Sequence, residues 1–473
     1  MYECPNCGGN LKFDIASQKL ACAYCDGHFD PYSIKKDKDA IETSFREAGF
    51  EETDSIDDQF YAVTVFTCPQ CGGELFSEDN EATTFCSFCG ASTILSSRIS
   101  KEKRPDFIIP FKKTKDDCKK AYERKMRKAF FVPKQLRDPK YIDEFRGIYM
   151  PYWTYQLVQN GRISLKGEKS YRKGNYVYTE HYDLSGELDS YYLGYSYDAS
   201  TSFYDNISEA LAPYDAKELV NFTPAFLSGF YADTADVDSK LYLSDAMEKA
   251  EENTFRRIRK EEKFKSCTVS EPKNKKQGLG TSLRKADNTM YPVWFLTYRN
   301  KDRVAYMTVN GQTGKVVADM PIDPKRYLAA SLLFAVPIFL LLNLFFTFRP
   351  VILLGLSAVL SVLSAVIYGV ELDAIYKREH NLDDRALKGK RGKKIKTELG
   401  GKFFLNIVVS VAAVLIAAVI GIFKPVSDIY YYSGVLIALG TVLFNMVGII
   451  WNYNKLAMRR LPQFNKKGGD HRG

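Results

Sequence analysis

The chain reads as a multidomain protein on three observations. Four Cys-x-x-Cys pairs crowd the first 89 residues, four uncharged apolar runs close the C-terminal end, and a charged, tyrosine-rich stretch separates them. Together these predict two small Cys4 zinc ribbons, a duplicated α+β cytoplasmic domain and a four-helix transmembrane bundle. At 473 residues the chain exceeds what one compact core usually holds. With 45% hydrophobic and 26% charged residues, it is neither a disordered tail nor a collagen-like fibre. The net charge of +9 hides segregation: residues 1–100 carry 7 Lys+Arg against 17 Asp+Glu, residues 101–326 carry 41 against 32, and residues 327–473 carry 18 against 8.

The cysteine pairs are Cys4/Cys7, Cys22/Cys25, Cys68/Cys71 and Cys86/Cys89. In each half 14 residues separate the inner cysteines, and CPNCGG…CAYC returns as CPQCGG…CSFC 64 positions later. A Cys-x-x-Cys turn presents two thiolates about one coordination edge apart, and two turns complete a sulfur tetrahedron around Zn²⁺. Residues 1–31 and 64–98 are therefore read as zinc ribbons holding two structural ions, joined by a charged linker over 32–63. Gly8, Gly9, Gly72 and Gly73 let the backbone curl after the second ligand. Leu11–Phe13 and Glu74–Phe76 are predicted as short ribbon strands. A ribbon this small has too little core to fold without its metal.

A disulfide framework would need an exported chain, and the opening residues Met1 to Cys4 offer no signal peptide. A redox dithiol needs one pair before a helix, not four pairs in two copies. His28 follows Cys25 by three residues, but four thiolates already complete the set. Cys118 and Cys267 stand alone and read as partly buried hydrophobes.

In the linker, Ile34, Ile41 and Phe45 permit a short helix and Glu51–Asp58 reads as solvated. Ser96–Arg104 reads as a polar hinge ending at Pro105. The α+β pattern then occupies 105–325. Thr114 is placed to cap a helix to about Phe131, with Ala121, Tyr122, Met126 and Phe130 on one side. A strand-rich region runs from Gly147 to about Asp205, and nine tyrosines between Tyr171 and Tyr204 predict a sheet with one aromatic face. Ser244 is expected to cap a second helix through about Lys260, and Tyr291 to start another strand. Lys273–Lys285 between the halves reads as a basic loop. Val304–Val309 and Lys315–Ala318 flank Asn310-Gly-Gln-Thr-Gly, a hairpin turn. The recurring Pro-x-Trp strands suggest a degenerate duplication.

Residues 327–452 hold the apolar runs Leu328–Phe346, Val351–Val370, Phe403–Phe423 and Tyr430–Trp451, each near the length that crosses a hydrocarbon core. The loop 371–402 carries 10 Lys+Arg against 6 Asp+Glu, and the tail 453–473 is also basic. The positive-inside rule puts both, with the N-terminal part, in the cytoplasm of a multi-pass cell-membrane protein. The loop is suited to anionic lipid head groups. Asn343, Asn406 and Asn445 are read as interhelical glue rather than a conduction site, because no ionisable residue lies within the spans.

Catalytic signatures are missing. Gly311–Lys315 lacks the phosphate-loop spacing, and no metalloprotease, nucleophile-elbow or kinase motif is found. His181 reads as a structural or exposed strand histidine. No small-molecule substrate is indicated, and an enzyme is not expected.

The paired CPxCGG ribbons, the Pro-x-Trp-containing middle, the Val-Asn-Gly-Gln-Thr-Gly-Lys hairpin and four C-terminal spans, in this order, resemble a bacterial family of multi-span membrane proteins of uncharacterised function. That family is described as containing a zinc ribbon of the transcription-factor-IIB type. The resemblance implies structural metal at the eight cysteines and a membrane location, but no task. Some relatives carry labels from the primosomal replication-restart helicase, whose paired-cysteine inserts look alike. This chain lacks the nucleotide-hydrolysis motifs such an activity needs, so the label does not transfer.

Two functions are then expected in order. The first is a membrane-anchored adaptor or scaffold whose ribbons dock a cytoplasmic protein partner, as the acidity of residues 1–100 favours. The second is nucleic-acid binding through the ribbons or the basic Lys101–Arg146 segment, which carries 16 Lys+Arg against 8 Asp+Glu.

Overall fold

A computed structural model describes residues 2–34, 60–77, 85–92, 95–261, 267–270, 279–345, 348–386 and 396–464. The linker helix near Ile41 and Phe45 and the solvated stretch Glu51–Asp58 lie outside those residues. The N-terminal ribbon is a three-stranded sheet of β1 (Leu11–Asp14), β2 (Lys19–Cys22) and β3 (His28–Phe29) in that order. Strand β1 alternates buried Leu11 and Phe13 with outward residues, so one face is apolar. That face packs on the rest of the molecule. Phe13 meets Phe226 edge-on at 5.2 Å, the Phe13 N–H donates to the Ser228 carbonyl at 3.0 Å, and Gln18 donates to the Phe111 carbonyl at 2.8 Å.

A mixed sheet of thirteen strands forms the body. It contains β4 (Phe60–Thr67), β5 (Glu74–Ser77), β6 (Ser96–Lys103), β7 (Phe107–Ile108), β8 (Arg146–Lys173), β9 (Tyr176–Asp198), β10 (Val220–Asn221), β11 (Tyr231–Ala232), β12 (Thr268–Ser270), β13 (Thr281–Asn300), β14 (Arg303–Asn310), β15 (Val316–Ala318) and β16 (Arg459–Arg460). The expected hinge Ser96–Arg104 is instead mostly strand β6, because β4 pairs with it from Phe60↔Lys103 to Thr67↔Ser96. The C-terminal end of the expected basic loop, Thr281–Lys285, is likewise the start of β13, paired with β8. The Asn310-Gly-Gln-Thr-Gly turn does join β14 to β15: the Asn310 side chain accepts from the Gln312 and Thr313 N–H groups, and Gly314 takes a φ of 79°.

Duplication is not shown. The two Pro-x-Trp strands, β8 and β13, are antiparallel neighbours, but β8 continues into a long hairpin with β9 while β13 pairs with the short β14. By register Tyr176, Tyr178, Tyr182 and Tyr192 of β9 share one face, with Tyr171 of β8 stacked on Tyr178, but they are unequally covered. Tyr192 and Tyr197 are buried near a helix, whereas Tyr171, Tyr176, Tyr178 and Tyr182 are exposed towards the hairpin tip.

Helix α1 (Lys115–Lys128) starts at a capping box in which Thr114 and Asp117 bond each other's backbone N–H. It buries Cys118, Tyr122 and Met126, while Phe130, beyond its end, is exposed. After the short α2 (Asp205–Leu211), α3 (Leu243–Lys260) begins one residue before the expected cap Ser244. Tyr242 precedes it, buried, with its hydroxyl donating to Asp205 at 2.6 Å.

Four helices are long and apolar enough to cross a membrane: α4 (Pro324–Phe345), α5 (Pro350–Glu379), α6 (Lys396–Phe423) and α7 (Asp428–Ala457). Helices α5, α6 and α7 pack through Leu354, Ala417, Tyr431 and Val435. The expected four-helix bundle is thus a three-helix bundle plus α4, of which the apolar window Pro324–Leu341 has no buried residue. In the bundle, Asn445 bridges all three helices. Its amide accepts from Asn406 at 2.9 Å and donates to Ser364 at 2.9 Å and Ser410 at 3.1 Å. The side chain of Asn343 lies outside the described residues.

The bundle is clamped to the sheet by ion pairs. Arg303 and Arg460 share Glu379, Arg378 meets Asp319 at 3.2 Å, and Arg385 pairs with Asp245. Arg459 is buried, 2.7 Å from Asp383 and 3.9 Å above the Tyr204 ring. Residues 371–386 of the basic loop therefore grip the domain rather than lying free for lipid, and 396–402 begin α6; residues 387–395 lie outside the described residues. Replacing Asn445 by Leu leaves Asn406, Ser364 and Ser410 without their partner. We expect it to weaken the bundle by about 1 kcal/mol, read as a lower thermal midpoint in detergent; an unchanged midpoint would deny the amide its bridging role.

Candidate metal centres

The repeat in sequence is a repeat in geometry. In the first ribbon the Cys4 N–H donates to the Gly9 carbonyl at 2.7 Å and the Gly8 N–H to the Cys4 carbonyl at 2.8 Å. In the second, Cys68 donates to Gly73 at 2.9 Å and Gly72 to Cys68 at 2.9 Å. Gly8 and Gly72 both take φ of 73°, the left-handed region that closes each knuckle. Gly9 and Gly73 are required for a different reason. A Cβ on Gly9 would stand 2.5 Å from the Tyr24 ring, and one on Gly73 would stand 2.6 Å from the Phe88 ring.

These turns bring Cys4, Cys7, Cys22 and Cys25 together, and likewise Cys68, Cys71, Cys86 and Cys89, with the sulfurs of each set within 4.8 Å of one another. The closest pairs are 3.5 Å apart in the first set and 3.7 Å in the second. A disulfide needs about 2.05 Å. A tetrahedron with metal–sulfur bonds of about 2.3 Å has edges near 3.8 Å. The donor sets therefore fit one Zn²⁺ each, with no bond between sulfurs. His28 belongs to neither set and faces Ser17 at 3.4 Å.

The two centres differ in cover. All four sulfur ligands of the second are buried, whereas Cys7 and Cys25 of the first are exposed. Ribbon 2 is built into the sheet through β4 and β5, and the sheet reaches over its second knuckle. Tyr306 donates to the Phe88 carbonyl at 2.7 Å, Thr297 donates to the Ser87 carbonyl, and Phe88 lies 6.3 Å from Phe295. The chain's C-terminal segment closes the remaining side: the Phe464 N–H donates to the Cys71 carbonyl at 2.7 Å and its ring meets Phe88 at 5.7 Å. The corresponding residue in ribbon 1, Tyr24, is 81% exposed.

Phe464 and Arg459 are residues that the basic composition of the tail from 453 does not single out. The available signal was Leu461-Pro-Gln-Phe464, an apolar interruption among the charges.

Other singled-out residues stay apart from these centres. Cys118 is buried, and that burial pushes its thiol up to about 12, which makes it inert. Cys267 is half-buried. His181 is exposed, 3.3 Å from Glu168 across the hairpin. In the Lys101–Arg146 segment, Lys112 pairs with Glu218, Lys119 with Asp143, and Arg146 donates to the Phe85 carbonyl. A cleft of about 450 Å³ between β9 and α3 presents Tyr192, Tyr195, Asn253, Arg256, Arg257 and Lys260, with no acid or histidine to serve as a general base.

No protein-family model matches the chain, and no solved structure does. It is similar to the uncharacterized protein YdjG of Bacillus subtilis (strain 168), at 28% identity over 328 residues that cover 68% of this chain and 90% of that protein.

The difference in cover predicts an order of metal loss. Under a graded chelator the first equivalent should leave ribbon 1, and the second should leave only as the sheet unfolds. Simultaneous release of both, followed by a metal indicator dye beside the melt, would contradict the assignment.

Proposed function

We propose that the chain is a membrane-anchored zinc-ribbon adaptor whose first ribbon is offered to a cytoplasmic protein partner. Zn²⁺ bound by Cys68, Cys71, Cys86 and Cys89 holds ribbon 2 as a structural corner; Zn²⁺ bound by Cys4, Cys7, Cys22 and Cys25 shapes the docking knuckles. The apolar helices tether the assembly to the bilayer, and the basic composition of 371–402 and 453–473 supports placing both termini in the cytoplasm.

One observation carries the reading. The same aromatic position is 1% exposed in ribbon 2, as Phe88, and 81% exposed in ribbon 1, as Tyr24. A ribbon serving only stability has no use for a large uncovered ring beside its metal knuckle, whereas exposed tyrosine is a frequent anchor at protein interfaces. Nucleic-acid binding is less well supported. Residues 1–100 are acidic, and several cations of the 101–146 segment are already engaged by carboxylates and carbonyls of the same chain.

A photo-crosslinking amino acid placed at position 24 in living cells tests this. The expected result is a discrete protein adduct that disappears in a Cys7→Ser, Cys25→Ser background and does not form from position 171 on the exposed hairpin. A nuclease-sensitive adduct, or none, would overturn the proposal.

A further inference from the structure

The two ribbons share one surface, and in only one of them is that surface covered. On ribbon 2 the surface is a step made by Gly73 and the Phe88 ring, whose edge lies 2.6 Å from where a Cβ of Gly73 would stand. On ribbon 1 the step is made by Gly9 and the Tyr24 ring, at 2.5 Å. Phe464 fills the first: its ring carbon stands 3.2 Å from the Gly73 Cβ position, its plane meets Phe88 at 69°, and its N–H reaches the Cys71 carbonyl at 2.7 Å. The matching acceptor on ribbon 1, the Cys7 carbonyl, receives no backbone hydrogen bond among the described residues. Pro5, Asn6, Cys7, Ala23, Tyr24 and Cys25 around it are exposed.

We infer that ribbon 1 takes an extended segment of a protein partner that carries an aromatic side chain beside Lys or Arg, in the manner in which ribbon 2 takes the chain's own Leu461–Phe464. This rests on the adaptor reading above and adds the recognition mode. The aromatic ring supplies an edge-to-face contact in addition to its burial. The backbone N–H ahead of that ring pairs with the Cys7 carbonyl and sets the register of the segment.

Basic neighbours follow from charge. Residues 1–31 carry 2 Lys+Arg against 4 Asp+Glu, Asp26 lies beside the knuckle, and four thiolates outweigh one divalent ion. The covered case has the same composition, since Arg459 and Arg460 precede Phe464 and Lys466 and Lys467 follow it in sequence. The chain's own Leu461–Phe464 is not the occupant of ribbon 1. Pairing of β16 with Arg303 and Val304, together with the Arg459–Asp383 contact, holds that segment at ribbon 2.

The test uses the full chain in detergent and a fluorescein-labelled peptide with the sequence of residues 459–467. Fluorescence anisotropy should show saturable binding that weakens at least tenfold with Tyr24→Ala in the chain, and equally with Phe464→Ala in the peptide. Tyr24→Phe should retain it. Metal content measured on each variant guards against loss of the ribbon itself; should Tyr24→Ala shed zinc, Tyr24→Lys, which keeps a long side chain over Gly9, takes its place.

Absence of binding, or binding indifferent to position 24, would overturn the inference. Self-association that depends on Tyr24, seen by sedimentation, would also overturn it by making a second copy the occupant. A protein adduct from position 24 combined with failure of the peptide would sink this recognition mode and leave the adaptor reading standing. Peptide binding without a protein adduct from position 24 in cells would sink the adaptor reading and, with it, a protein partner as the occupant of ribbon 1.

Discussion

Four sulfurs within 4.8 Å of one another, sealed from solvent on the flank of a sheet, repel as thiolates and pack poorly as thiols. A divalent ion at the centre of ribbon 2 would resolve both problems, and much of the described architecture outside the apolar helices meets at this ribbon. The sheet reaches the ribbon through Tyr306 and Thr297, and the chain leaving α7 reaches it through Phe464. One small cysteine-lined corner thus ties the N-terminal region, the sheet and the end of the last apolar helix into one body.

The second tie is electrostatic. Arg303, Arg378, Arg385 and Arg459 converge with Glu379, Asp319, Asp245 and Asp383 where the apolar helices meet the sheet. Burial raises the Asp319 carboxyl above its ordinary range despite Arg378 beside it, which marks a desolvated contact. Removing one partner of such a pair costs about 3–5 kcal/mol, because the other charge is then stranded. Helices and domain are therefore expected to move together rather than as beads on a string. A partner held at ribbon 1 would be held in a defined position relative to the bilayer.

What could be read from residues alone was whatever short-range chemistry dictates. The eight cysteines declare their pairing by spacing, Thr114 its cap by Asp117 three residues on, and Asn310-Gly-Gln-Thr-Gly its turn. The apolar runs declare themselves by composition. What escaped depends on partners distant in sequence. Ser96–Lys103 looks like a polar hinge until β4 lies beside it, and Arg459 looks like a solvated charge until Tyr204 and Asp383 close over it. The unequal fates of Tyr24 and Phe88 were invisible for the same reason. The two knuckles are near copies, and only the tertiary surroundings distinguish them.

The central claim is that both cysteine quartets are sulfur-only zinc centres. Zinc-edge X-ray absorption on the full chain in detergent, with metal content measured on the same sample, tests it most directly. The account predicts two zinc ions per chain and a single shell of four sulfurs at about 2.3 Å. One ion per chain, or a shell containing nitrogen or oxygen, would contradict it.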